Sequence, residues 1–243
     1  FNLGRAYEQR KEPDNALNEY AQVGPGTDYL TAQMRQTEIL LGAKRIEEAS
    51  NRLSKARDEQ PDYAIQLYLI ETEALAKHQH IDRAWRIAEQ ALLQYPDDLN
   101  LLYTRAMLAE QRNDLVQLEA DLRSILAREP ENAMALNALG YTLADRTTRY
   151  AEARALIEQA HQLNPQDPAV LDSLGWVNYR QGQLDIAESL LRQALEVSPT
   201  PRWPPTWVKY CGPTASNAKR ARSGPRPWPT IQTARFYAAH CYA

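Results

Sequence analysis

Histidine and carboxylate side chains are the groups in this sequence that come nearest to the requirements of a metal or acid–base site. His78 and His80 are separated by one residue, but an isolated pair without a third ligand is weak evidence for a metal. The acidic pair Glu47-Glu48 falls at a predicted helix start, where the helix dipole and solvent favour acids. We therefore predict neither a metal site nor any cofactor.

The arrangements that carry nucleophilic catalysis are also missing from the sequence. No set of serine, histidine and aspartate or of cysteine and histidine is recognisable, and no glycine-rich phosphate loop exists. Gly24-Pro25-Gly26 has the composition of a turn between two elements. The two cysteines, Cys211 and Cys241, allow at most one disulfide. The sequence therefore predicts a protein that is not an enzyme.

Composition places the chain among globular proteins and divides it near residue 200. Its 243 residues are 44% hydrophobic and 24% charged, and no apolar run reaches the length of a membrane span. We expect no signal peptide in the sequence, although Phe1 is not Met and an upstream targeting segment is compatible with that start. From Thr200 onward there are seven basic residues and no acid, whereas 21 basic and 31 acidic residues precede that point.

A repeat of 34 or 35 residues organises the first 199 residues. Prolines recur at intervals of 35, 34, 35 and 34 residues, at Pro61, Pro96, Pro130, Pro165 and Pro199. Small or aliphatic residues stand twelve, eight and five positions before each of them, such as Ala187, Leu191 and Ala194 before Pro199. These offsets lie on one stripe of an α-helix. Each repeat is therefore predicted to end in an amphipathic helix that proline terminates.

The first half of each repeat also reads as a helix, and glycine marks where it packs. Leu-Gly pairs occur at Leu3-Gly4, Leu139-Gly140 and Leu174-Gly175. Glycine within a helix costs about 1 kcal/mol relative to alanine, so it usually has a packing reason. We predict that it permits close approach of the two helices of a repeat, with glycine on one and alanine on the other.

These features resemble the tetratricopeptide repeat family, whose helix-turn-helix unit of 34 residues carries Leu-Gly, two alanines and a terminal proline. The segment from Leu174 to Pro199 matches this pattern closely, the fifth unit has one extra residue in its turn, and units two to four lack Leu-Gly. Six units cover residues 1–199, the first of them truncated. The resemblance implies an all-α, right-handed superhelical solenoid.

Residues 200–243 break the repeat and read as a basic tail rich in proline and tryptophan. A nucleic-acid-binding tail and a disordered linker are two interpretations of that composition. A third fits the genetic code: reading the codons one base out of frame forces glycine at Trp207-Val208 and leucine at Tyr210-Cys211. It also permits leucine at the codon before that glycine, which restores a Leu-Gly-x-x-Leu pattern. We favour this third interpretation, a seventh repeat and a capping helix read in the wrong frame, and therefore place no site in the tail.

The resemblance implies that the first helix of each repeat lines a concave groove that binds a partner. Methionine adapts its shape, and tyrosine and tryptophan offer large rigid contact area, so residues of these types suit a protein-binding surface. The Leu-Gly register places ten candidate binding residues in the groove: Met34, Glu38, Glu73, Tyr103, Met107, Asn137, Tyr141, Asp172, Trp176 and Tyr179.

We predict a scaffold or adaptor that binds an extended or helical segment of a partner protein in this groove. The groove carries more acid than base, so a basic or neutral segment is favoured over an acidic one. Some family members bind a terminal carboxylate through lysine and asparagine, but acids or apolar residues stand at most of those positions here. Recognition of chaperone tails is therefore not expected.

Two alternatives remain for the function. The repeats suit the substrate-recognition arm of a larger enzyme, or the tail binds nucleic acid. The alanine-rich composition resembles long repeat adaptors of the Gram-negative envelope, including outer-membrane lipoproteins that bring substrates to a carboxyl-terminal processing protease. This favours a bacterial, periplasmic, outer-membrane-anchored parent over a cytoplasmic one. An uncapped solenoid end exposes apolar surface, which also predicts self-association.

Overall fold

The computed structural model of the chain describes residues 1–197, and regular structure in that range is helical. A single turn of 3₁₀-helix at Pro61–Tyr63 precedes α5. The α-helices of the described residues are α1 (Asn2–Gln9), α2 (Pro13–Ala21), α3 (Tyr29–Gly42), α4 (Ile46–Glu59), α5 (Ala64–Lys77), α6 (Ile81–Gln94), α7 (Leu99–Gln111), α8 (Leu115–Arg128), α9 (Ala133–Arg146), α10 (Tyr150–Leu163), α11 (Pro168–Arg180) and α12 (Leu184–Val197). The all-α class is confirmed, and each even-numbered helix from α4 to α10 ends just before the proline of its repeat.

Helix boundaries follow from local chemistry. Asp98, Asn132 and Asp167 cap α7, α9 and α11 by accepting hydrogen bonds from backbone N–H groups of the first turn, at 2.8–2.9 Å. In most hairpins the turn contains one residue in the left-handed conformation, which is glycine at Gly182 between α11 and α12. At four other hairpin turns a larger residue takes a positive φ, namely Lys11, Lys44, Gln79 and Asn113.

The helices form two compact units. The first runs from Phe1 to Arg128 and contains α1 to α8, and the second begins at Glu129 and contains α9 to α12. In the first unit α3 packs on α5 and α5 on α7, and in the second α9 packs on α11. No comparable contacts join the even-numbered helices of either unit within residues 1–197. The odd-numbered helices of each unit therefore form a layer of helices in direct contact, and this is the layer to which the resemblance assigns the groove.

Small residues hold the two helices of each hairpin close together. A Cβ atom added to Gly140 would lie 2.6 Å from Ile157 Cγ1 and 2.9 Å from the carbonyl oxygen of Ala153. One added to Gly175 would lie 2.8 Å from Leu191 Cγ. The close approach that the Leu-Gly pairs predict is therefore present, and the aliphatic residue eight positions before the proline fills the space beside the glycine.

Repeats two to four lack both residues of the Leu-Gly pair. The glycine position holds Thr37, Thr72 and Ala106, all buried, and each threonine hydroxyl donates to the carbonyl oxygen four residues earlier at 2.7 Å. The leucine position holds polar residues, and each of them pairs with a side chain of an even-numbered helix. These pairs are Gln36 with Arg52, Glu71 with Arg57, and Arg105 with Asp121.

The predicted hairpin repeat is confirmed between residues 29 and 197, which form ten successive helices besides the 3₁₀ turn. None of the described helices is both long enough and apolar enough to cross a bilayer. The predictions for residues 200–243, including the seventh repeat and the roles of Cys211 and Cys241, lie outside the described residues.

Candidate functional site

The odd-numbered helices of each unit present a stripe of side chains, which we call the odd-helix face of that unit. Its residues stand three positions before, one after or four after the small buried residue of each helix, so they share one side of the helix. The face consists of Met34, Glu38, Leu69, Glu73, Tyr103 and Met107 in the first unit and of Asn137, Tyr141, Asp172, Trp176 and Tyr179 in the second. Most of these side chains are exposed or half-buried, whereas Asp172 is buried.

In the first unit, α5 and α7 form an open, shallow pocket of about 430 Å³ on this face. Glu73, Lys77, Tyr103 and Met107 line it together with threonine and alanine residues of the same helices. Burial, and then the charge of Glu110, raise the pKa of Tyr103, so its hydroxyl remains a hydrogen-bond donor at neutral pH. The pocket therefore combines an adaptable apolar wall, one phenol and one charge of each sign.

Glu38 forms polar contacts with Lys77 and His78 of the first unit. Its carboxylate accepts a hydrogen bond from Lys77 Nζ at 3.0 Å and lies 3.2 Å from His78 Nε2, both at the end of α5. Burial raises the pKa of Glu38, but the hydrogen bonds and charges of Lys77 and His78 outweigh it and the net pKa is lowered. Among residues 1–197 no cluster of metal-ligating side chains occurs, and His78 instead binds this carboxylate.

In the second unit, Trp176 and Tyr179 form an aromatic platform on α11. Their rings are stacked, with centroids 5.4 Å apart and planes inclined by 14°. The Arg180 guanidinium lies 5.6 Å from the Trp176 ring centroid, donates to the Asp145 carbonyl oxygen at 2.9 Å and donates to the Tyr150 hydroxyl at 2.7 Å. Arg180 thereby fixes the register of α11 against α9 and supports the platform.

Two hydrogen-bond acceptors, one on α9 and one on α11, have no protein donor within the described residues. Asp172 is only 7% exposed, and burial raises its pKa to about 7. Asn137 occupies the equivalent position of α9, and its Oδ1 atom is buried without a donor. The carboxylate of Asp145 lies farther along α9, and burial raises its pKa although Arg146, Arg180 and Trp176 oppose the shift. The second unit therefore offers an acidic face beside an aromatic platform.

The ten predicted binding residues lie on odd-numbered helices, five in each unit. Glu73, Tyr103 and Met107 meet near the pocket, and Asn137, Tyr141, Asp172, Trp176 and Tyr179 belong to the second group. Met34 is 44% exposed on α3. The sequence did not reveal that Glu38 pairs with Lys77 and His78, because its two partners are about 40 residues away and no local pattern marks the contact.

Comparison with known proteins agrees with this architecture. Two models described as "Tetratricopeptide repeat" match residues 147–203 and 119–168. The "TPR repeat-containing protein PA4667" of Pseudomonas aeruginosa is 67% identical over 199 residues, which cover 82% of this chain and 34% of that protein. The chain thus spans about a third of the length of this relative.

Solved structures support the same fold. A tetratricopeptide repeat protein from Parabacteroides merdae ATCC 43184 superposes with a TM-score of 0.57 at 15% identity, covering 72% of this chain and 69% of that one. YrrB, described as a "TPR protein with an unusual peptide-binding site", gives 0.51 at 16% identity, over 70% and 87% of the two chains. With its helical hairpins, its small-residue contacts, its proline-ended repeats and these matches, the chain belongs to the tetratricopeptide repeat family.

Proposed function

We propose that the chain is a non-catalytic scaffold that binds an extended or helical segment of a partner protein along the odd-helix face. The fold is that of protein–protein interaction scaffolds, which is the general part of this function. The observation that carries the specific part is the pocket of about 430 Å³ lined by Glu73, Tyr103 and Met107, together with the aromatic platform of the second unit. Rigid helices bearing such side chains bind a flexible segment with little ordering cost on their own side.

YrrB gives further support, because it shares the fold of this chain and is described as having a peptide-binding site. The acidic side chains of the face favour a basic or neutral segment. An adaptor of a carboxyl-terminal processing protease in a bacterial periplasm stays a prediction that rests on resemblance. So does self-association through uncapped ends.

A recognition arm of a larger enzyme is the second candidate function. It is favoured by one observation, namely that the Pseudomonas aeruginosa relative is about three times as long as the matched segment, which leaves room for further domains in a parent protein. Nucleic-acid binding through residues 200–243 falls outside the described residues. Sequencing the parent gene for an appended catalytic domain separates the enzyme arm from the scaffold.

The experiment is a peptide-array measurement with matched variants. The full chain is applied to an array of immobilised short peptides, and affinities of the bound peptides are then measured in solution. We expect Met107→Ala to weaken binding of peptides on the first unit, and Trp176→Ala binding of peptides on the second unit, about tenfold or more, as is typical of buried anchor residues. Leu93→Ala and Val116→Ala, on α6 and α8, are the controls, since these side chains are 86% and 82% exposed on even-numbered helices.

Binding that is unchanged in both odd-helix variants, or that is lost in the two controls, would contradict the proposal. Circular dichroism of each variant establishes that the helices remain folded, so that a loss of affinity reports on the surface.

A further inference from the structure

Asp172 is a buried acid that the repeat itself does not require. The equivalent position, three residues before the small buried residue, holds Met34, Leu69 and Tyr103 in the first unit. The hairpins of that unit therefore form with neutral side chains at this place. At Asp172 the fold instead accepts a carboxylate that is 7% exposed, makes no hydrogen bond or ion pair among the described residues, and loses most of its hydration.

A buried carboxylate without a partner is unfavourable, and folded proteins normally pair such groups. Arg180, the cation of α11, does not serve Asp172, because its guanidinium is bound to the Asp145 carbonyl oxygen and to the Tyr150 hydroxyl. The charge of Arg180 does not contribute to the shifted pKa of Asp172 either, for which burial is the cause. The carboxylate oxygens of Asp172 can therefore still accept hydrogen bonds.

The surroundings of Asp172 suit a positively charged side chain. Asn137, at the equivalent position of the neighbouring helix, adds a second acceptor that lacks a donor. Trp176 lies one helical turn after Asp172 on the same side of α11, and Tyr179 continues the stripe. Stacked aromatic rings bind the aliphatic stem of lysine or the planar guanidinium of arginine.

We propose that Asp172 is the receptor for a lysine or arginine side chain of the partner segment, whose stem lies on the platform of Trp176 and Tyr179. This assignment rests on the proposed function, since it names the chemistry of the segment that the odd-helix face binds. The expected partner is a protein segment with a cationic residue beside apolar ones, so that one side chain pairs with Asp172 while others occupy apolar parts of the face.

The test compares paired peptides on the full chain. Short peptides that the array identifies are synthesised with their lysine or arginine retained, or replaced by norleucine, which keeps an unbranched aliphatic stem and removes the charge. We expect the replacement to weaken binding to the wild-type chain about tenfold, as is usual for a charge-assisted hydrogen bond. For Asp172→Asn the same replacement should make little difference, because the carboxylate charge with which the cation would pair is already gone.

Asp185→Asn is the matched control, since it removes the same charge from an exposed position on α12 of the same unit. It should leave the preference for the cationic peptide unchanged. Asp172→Asn keeps the shape of the side chain, and its thermal unfolding establishes that it folds.

The outcomes separate this inference from the proposed function. An array without any bound peptide contradicts both. Peptides whose binding is weakened by Trp176→Ala, but which show no preference for a cation and no response to Asp172→Asn, contradict this inference alone. A preference for a cation that persists in Asp172→Asn also overturns it.

Discussion

The carboxylate of Asp172 links stability to function at the scale of a single residue. Its pKa rises from 3.8 to about 7 on burial, so the folded chain holds a proton that the unfolded chain has already released between those pH values. The free energy of unfolding therefore falls as pH rises from about 4 to about 7, and the full loss of stability is reached above about pH 7. A residue that lowers stability at neutral pH is more readily explained by binding than by folding.

We predict that Asp172→Asn stabilises the chain and that the gain grows with pH. Between pH 5 and pH 8 the difference in unfolding free energy between variant and wild type should increase by roughly 3 kcal/mol, because only the wild type must ionise a buried acid. Urea unfolding at both pH values measures it. A difference that does not change with pH would show that Asp172 ionises normally.

At the scale of helix–helix contacts, a buried ion pair takes the place of a leucine in the third repeat. Arg57 and Glu71 are 8% and 1% exposed, their side chains are 2.6 Å apart, and the Arg57 guanidinium lies 4.1 Å from the centroid of the Tyr68 ring. Glu71 occupies the position that holds Leu139 and Leu174 in the later repeats. In the third repeat a charged pair thus occupies the place that leucine fills in the fifth and sixth repeats.

We predict that Glu71→Leu alone destabilises the chain by about 3 kcal/mol, because it leaves Arg57 buried without its counter-ion. Combining it with Arg57→Met should recover most of that loss, since the pair is then replaced by apolar side chains of similar size. Chemical denaturation of both variants tests this. If the double variant were no more stable than the single one, the pair would not be the reason for the loss.

Glycine at the hairpin contact gives a second prediction for the helices. Gly140→Ala should cost about 1 to 3 kcal/mol, because the added methyl group would meet the backbone oxygen of Ala153, which cannot move aside easily. Gly42→Ala is the control, since no atom lies within 4 Å of its added Cβ. That substitution in α3 should be neutral or stabilising. Equal melting temperatures for the two variants would argue against close packing at Gly140.

The helices and their order could be predicted from the sequence because proline spacing and the stripe of small residues are local signals. The packing of Gly140 and Gly175 followed for the same reason. The polar pairs of repeats two to four could not be predicted from the sequence. Gln36, Glu71 and Arg105 have the character of surface residues until their partners on other helices are known. The burial of Asp172 was equally hidden, because its type suggests a solvated groove residue.

At the scale of the whole molecule, the chain combines tandem helical repeats with a tail of different composition. Its similarity to the Pseudomonas aeruginosa relative extends over 199 residues, which is the length of the proline-marked repeats. The interpretation of residues 200–243 as a repeat read out of frame stays a prediction. Sequencing the gene independently across the codons around Pro199 and Thr200 should reveal the loss of a base. An intact reading frame there would mean that the basic tail is genuine.

The proposed function requires that a partner contacts the odd-numbered helices. Site-specific photo-crosslinking to an array-selected peptide measures directly which helices the peptide contacts. A photoreactive phenylalanine analogue is placed at Tyr103 or Trp176 on the odd-helix face, and at Leu93 or Val116 on the even-numbered helices. We predict crosslinks from Tyr103 if the peptide binds the first unit and from Trp176 if it binds the second, and none from Leu93 or Val116. Crosslinks formed only from Leu93 or Val116 would contradict the claim that the odd-helix face is the binding surface.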